Sequence, residues 1–110
     1  MEKETKFDYN PELDILHVYT SKIDSEIKGN LTYGNFNIDV REDGKILGIE
    51  LEGASSFLKI DPEKLSNLDK AMIVIKKTGN ILFIGLTVIK GQVNSTIQLN
   101  IPNQLNPVYN

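Results

Sequence analysis

The sequence predicts an α+β fold, with a mainly antiparallel, twisted sheet of about six or seven strands and one short helical segment between two β-meander halves. Three observations support this. Turn-forming residues punctuate the chain at short, regular intervals. Between them, apolar and polar residues alternate with period two, as half-buried strands require. A single Asp61-Pro62-Glu63 triplet has the form of a helix start. With 110 residues, 40% of them hydrophobic and 25% charged, the chain has the size and composition of a single domain over residues 1–110.

The first strand is expected over Lys6 to Tyr9, a turn at Asn10-Pro11-Glu12, and a second strand over Leu13 to Tyr19. Ser21 to Asn30 is less regular, with Ile27 or Leu31 as members of a further strand. Asp43-Gly44 between alternating segments favours a tight hairpin, because Gly accepts positive φ without a Cβ clash. Pairing Glu42 with Lys45 sets Val40 against Leu47, Ile38 against Ile49 and Phe36 against Leu51, all on one face. The other face then carries Asn37, Asp39, Gly48, Glu50 and Glu52. Gly53 ends the strand, and Ala54 to Leu58 suits a short helical turn. Asp61 can cap free N–H groups and Pro62 fits the first helical position, with Leu65 and Leu68 on one face and an end near Asn67 or Asp69.

Residues 59–101 read as that helix followed by a three-stranded meander: Ala71 to Lys76, Ile81 to Ile89 and Val93 to Ile101, with turns at Thr78-Gly79-Asn80 and Gly91-Gln92. A two-residue loop at Gly91-Gln92 sets Leu86 against Ile97, Ile84 against Leu99 and Leu82 against Ile101, with Ala71, Ile73 and Ile75 on the same face. The opposite face is polar on the last strand (Asn94, Thr96, Gln98, Asn100). It is apolar on the middle one, where Ile81, Phe83 and Ile89 join Met72 and Val74 in a candidate interaction patch. Internal cover by the helix or the N-terminal hairpin is the expected fate of this patch, with self-association or a protein partner as the alternative. Residues 102–110 read as an irregular tail.

Composition excludes several classes. Without Cys there are no disulfides, thiolate nucleophiles or Cys-type zinc sites. Twelve basic against fifteen acidic residues, a net charge of −3, disfavours nucleic-acid binding. The charged N-terminus has no apolar segment behind it, and the run from Ile81 to Ile89 falls short of the about 20 residues of a membrane helix. A cytoplasmic protein with no membrane partner is the expectation.

Two stretches carry a family resemblance. Tyr9-Asn10-Pro11-Glu12-Leu13-Asp14-Ile15-Leu16-His17-Val18 is the first. The second runs from Asn37 through Asp43-Gly44 to Gly48-Ile49-Glu50-Leu51 and closes with Ala54-Ser55. Over residues 7–58 the chain resembles DUF2283, a family of small proteins of unknown function. The resemblance implies a sheet with a short helix and brings no catalytic residue to carry over. His17 stands where the family frequently has Tyr, and Arg41 where Asp is frequent. The part from Pro62 onward resembles an extension of longer, archaeal-type members. Some bacterial members resemble the smaller partner of toxin–antitoxin-like gene pairs, which suggests an antitoxin-like regulatory partner as one alternative.

Residue by residue, the chemistry is sparse. His17 is the only imidazole, and Asp14, three residues away, falls on the opposite strand face. The simplest reading of His17 is a histidine on a sheet face, with Asp24, Asp39 or another distant acid able to approach it. Asp39 and Glu50 share the outer face at diagonal positions, and a pocket around them would allow acid–base work or a divalent ion. Ser55 is expected to bond a free N–H at its turn. Catalytic, cofactor and metal residues are therefore all set at none. The expected function is a non-enzymatic interaction module without cofactor that self-associates, with a dimer favoured. The alternative is a small-ligand or divalent-metal binding protein using the outer-face acids.

Overall fold

The period-two alternation is realised in two sheets that share one core. The structure, a computed structural model, describes residues 5–19, 27–41, 45–102 and 108–109. Its elements are β1 (Lys6–Asn10), β2 (Ile15–Tyr19), β3 (Ile27–Tyr33), β4 (Phe36–Arg41), β5 (Ile46–Glu52), α1 (Ala54–Leu58), α2 (Pro62–Leu65), β6 (Lys70–Thr78), β7 (Ile81–Lys90), β8 (Val93–Pro102) and β9 (Val108–Tyr109). One sheet has six strands in the order β1-β2-β5-β4-β3-β9, the other three in the order β6-β7-β8, and every pairing is antiparallel.

The α+β class and the antiparallel pairing stand as expected, but the strand and helix counts do not. Instead of one sheet of six or seven strands there are two sheets, because the chain leaves β5 at Gly53 (φ 69) and does not return to that sheet until β9. Instead of one helical segment there are two. Lys59 takes a left-handed conformation (φ 58) that stops α1. Asp61 then starts α2, its side chain accepting the Lys64 N–H at 2.9 Å beside Pro62. α2 ends at Leu65, ahead of Asn67, where the Ser66 hydroxyl donates to the Pro62 carbonyl (2.8 Å). The expected irregular tail contains β9, which pairs with β3.

The meander follows the expected register: Leu86 meets Ile97, Ile84 meets Leu99, and Leu82 meets Ile101. Gly79 and Gly91, at φ 56 and 59, occupy turn positions that would strain an L side chain. In the β4–β5 hairpin, Phe36 meets Leu51 and Ile38 meets Ile49 as expected, but Val40 meets Ile46 rather than Leu47. A bulge between Asp39 and Val40 inserts Leu47 as an extra residue. The Asp43-Gly44 turn itself lies outside the described residues, as does most of the Ser21 to Asn30 segment. Ile27 and Leu31 both fall on β3. At the β1–β2 turn, Asn10 Oδ1 accepts the N–H groups of Glu12 (3.0 Å) and Leu13 (3.1 Å). β2 starts only at Ile15, after a left-handed Asp14 (φ 54).

The core joins both sheets and both helices. Leu16, Val18, Ile38, Ile49 and Leu51 enter it from the larger sheet, Ile84, Leu86, Val88 and Ile101 from the smaller, and Ala54, Leu58 and Leu65 from the helices. Leu51 sits between Leu16 and Phe36 in adjacent strands. Leu51→Ala should therefore cost about 2–5 kcal/mol in urea unfolding, through lost transfer energy plus a cavity. Leu13→Ala, at a side chain 65% exposed, should stay within about 0.5 kcal/mol.

Candidate functional site

The burial of Leu16 and Val18 turns His17, between them, to the other face of the larger sheet. There His17 stands directly opposite Glu50 on β5 and Asp8 on β1. Asp39 follows the same rule between Ile38 and Val40 on β4, and its opposite residue is Gly48. Gly48 also faces Tyr19, so no side chain separates Asp39 from the His17–Tyr19 side of the sheet.

These strands bring together three groups that sequence spacing keeps far apart. His17 Nε2 donates to Asp39 Oδ2 at 3.3 Å. One ligand atom from each of His17, Asp39 and Glu50 lies within 4.8 Å of the other two. Asp39 is only 7% exposed and is the one charged residue buried among the described residues. The Tyr19 ring packs against the imidazole, centroids 4.7 Å apart, and its hydroxyl donates to Asp8 Oδ2 at 3.0 Å. The hydrogen bond to Asp39 raises the His17 pKa above its ordinary value against the opposing effect of burial. The negative charges of Asp39, Glu50 and Asp8 add to the rise.

The geometry approaches that of a metal site. Ligand atoms around a tetrahedral ion at about 2.1 Å stand roughly 3.4 Å apart. The His17–Asp39 separation already has this value. The Glu50 carboxylate stands within 4.8 Å of both. The diagonal placement of Asp39 and Glu50 is as expected, and His17 stands on the sheet face with Asp39 as the distant acid that approaches it. His17 and Asp39 are 22 residues apart. Their meeting depends on β2 lying beside β5, an adjacency of strands distant in sequence that no local pattern signals.

Asp14 was expected on the strand face opposite His17 but lies in the turn before β2, where it holds a second cluster. Its carboxylate accepts the Tyr9 hydroxyl (2.6 Å), the Ser55 N–H (3.0 Å) and the Ser55 hydroxyl (2.7 Å), while its carbonyl accepts the Ala54 N–H (3.1 Å). Asp14, rather than Ser55, thus satisfies the start of α1, and Ser55 is the donor. Burial alone would lift the Asp14 pKa, but the bonds donated by Tyr9 and Ser55 outweigh it and hold the carboxyl below its usual value. Burial, and then the bond to Asp14, push the Tyr9 phenol up to about 12. This network ties the first hairpin to α1.

The five patch residues share the outer face of the smaller sheet. Met72, Val74, Phe83 and Ile89 are half-buried and Ile81 is 49% exposed. The Phe83 ring lies over Gly85, where a methyl group would sit 3.6 Å from Phe83 Cε1. Internal cover by the helix or the first hairpin is not what is found among the described residues: Leu58, Leu65, Phe7 and Tyr9 all pack into the core on the other side of this sheet.

Fold and site together define a small two-sheet α+β domain with a histidine–carboxylate cluster on one face. Residues 6–55 match the family described as protein of unknown function (DUF2283). This segment contains the Tyr9–Asp14–Ser55 network and all of His17, Asp39 and Glu50. No curated protein and no solved structure matches the chain. Among the described residues, no helix is long and apolar enough to cross a membrane.

Two outcomes follow for measurement. In an NMR titration His17 should titrate above 6.5, and Asp39→Asn should lower that value. The His17 contribution to stability is then full below 6.5 and lost as pH rises through the folded pKa. Asp14→Ala should cost about 2 kcal/mol at neutral pH, from lost charge-assisted hydrogen bonds. The Asp14 contribution is present above its unfolded value of 3.8 and disappears as pH falls through the depressed folded one, so in acid unfolding the variant's deficit should shrink there.

Proposed function

We propose that this chain binds a divalent transition-metal ion through His17, Asp39 and Glu50, as a binding protein rather than an enzyme. One observation supports the reading above all. Three side chains of ligand type, from three strands of one sheet, converge within 4.8 Å. Strand-borne ligands are held by a packed core, so little ordering is left to be done when an ion arrives.

The donor set selects the class of ion. One imidazole nitrogen with two carboxylate oxygens suits zinc, manganese or iron(II), the remaining positions being taken by water. Calcium prefers six to eight oxygens and is poorly served. The ion must displace the proton that His17 Nε2 donates to Asp39, so affinity rises with pH through the His17 pKa. The Tyr19 ring packs against the imidazole, and Asp8 accepts the Tyr19 hydroxyl.

A thermal-shift and calorimetric titration with zinc, manganese and calcium tests this. At a hundredfold excess over the dissociation constant, zinc or manganese should add about 2.7 kcal/mol of stability. Calcium should add far less. His17→Ala and Glu50→Gln should each abolish the gain while leaving a folded protein, since both side chains are only partly buried. An equal gain in the His17→Ala/Glu50→Gln double variant, or no gain with any transition metal, would refute the proposal.

A further inference from the structure

A different part of the molecule concerns assembly. We infer that β8 pairs, edge to edge and antiparallel, with β8 of a second copy of this chain, joining two three-stranded sheets into one of six. β8 is ten residues long, and among the described residues its only strand partner is β7. Its other edge presents a row of backbone N–H and C=O groups, which are templates for another strand unless a protein guards them.

Other edge strands carry such guards or are short. β6 bears Lys70, Lys76 and Lys77, and the Thr5 hydroxyl already donates to its Ala71 carbonyl. β1 is five residues long and bears Lys6 and Asp8, and β9 is two residues long. β8 reads Val93-Asn94-Ser95-Thr96-Ile97-Gln98-Leu99-Asn100-Ile101-Pro102, with no charge, no internal proline and no bulge in its pairing with β7. Its cover is also incomplete. Ile97 and Leu99 face the core yet stay half-buried, while Leu86 and Ile84 opposite them on β7 are fully buried. A strand added alongside would cover both.

The strand is self-complementary, and the register centred on Ile97 is one of those that keep its apolar faces together. A two-fold axis perpendicular to the sheet keeps apolar faces together only where an odd-numbered residue meets an odd-numbered one. With Ile97 against the second copy's Ile97, Ser95 meets Leu99, Thr96 meets Gln98 and Asn94 meets Asn100. Pro102, which has no N–H to give, falls outside the ladder. The outer-face partners are amides and hydroxyls that can bond one another. The apolar patch around Phe83 lies on the sheet face and takes no part in this contact.

Sedimentation velocity of the full chain at high micromolar concentration should show twice the monomer mass. Thr96→Lys/Gln98→Lys, at two exposed positions, clusters four ammonium groups about the axis and should give a monomer with unchanged far-UV circular dichroism. Thr96→Glu/Gln98→Lys sets each carboxylate opposite an ammonium and should restore the dimer. Ile81→Lys, on the patch, should leave it intact. In the unsubstituted protein, amide-exchange protection around Ile97 should rise with concentration, a readout that needs no variant to fold. A monomer at all concentrations, a dimer that survives Thr96→Lys/Gln98→Lys, failure of the Glu/Lys pair to restore it, loss of the dimer in Ile81→Lys, or concentration-independent exchange around Ile97 would overturn the inference.

Discussion

Leu16 against Leu51 and Val18 against Ile49 hold β2 to β5, and the rest of the larger sheet takes its arrangement from that contact. All four side chains are fully buried. Complete burial of such a side chain contributes about 1.5–3 kcal/mol. A partly exposed His–Asp pair contributes roughly 1 kcal/mol or less. The apolar register therefore decides, and the polar face follows. Because strand side chains alternate, the register that buries Leu16 and Leu51 also sets His17 opposite Glu50. A slip of one residue would exchange the two faces and bury the ionisable groups, which is why the register is so strongly specified.

Two local departures from regular structure refine this arrangement. The bulge on β5 shifts the pairing by one residue between Asp39 and Val40, next to the sheet's one buried carboxylate. Bulges increase local twist and re-aim the side chains beside them. The second departure is the left-handed Asp14. It turns the chain into β2 and presents a carboxylate to Tyr9, Ser55 and the first turn of α1. The two stretches that carry the resemblance meet here, where Tyr9, Asp14 and Ala54-Ser55 come together. His17 lies outside this network.

What the sequence made legible was local. The meander register follows from two short turns, because a two-residue loop leaves only one parity for the strands it joins. Pairs such as Ile84 with Leu99 were readable for that reason. The β4–β5 register was readable up to Ile38 and Ile49 and failed beyond them, since Leu47 is as apolar as Ile46 and nothing in the pattern marks it as the inserted residue. The outer-face positions of Asp39 and Glu50 were legible from alternation. Their meeting with His17 was not, because alternation assigns faces and does not assign neighbours. The β2–β5 pairing skips two strands, and β9 returns to the first sheet from the far end of the chain.

Anomalous diffraction from crystals of the zinc-loaded protein locates the ion and the strand register together. One strong anomalous peak is expected, about 2.0–2.2 Å from His17 Nε2 and from a carboxylate oxygen each of Asp39 and Glu50. A zinc ion bound elsewhere, or His17 and Glu50 on opposite faces of the sheet, would contradict this expectation.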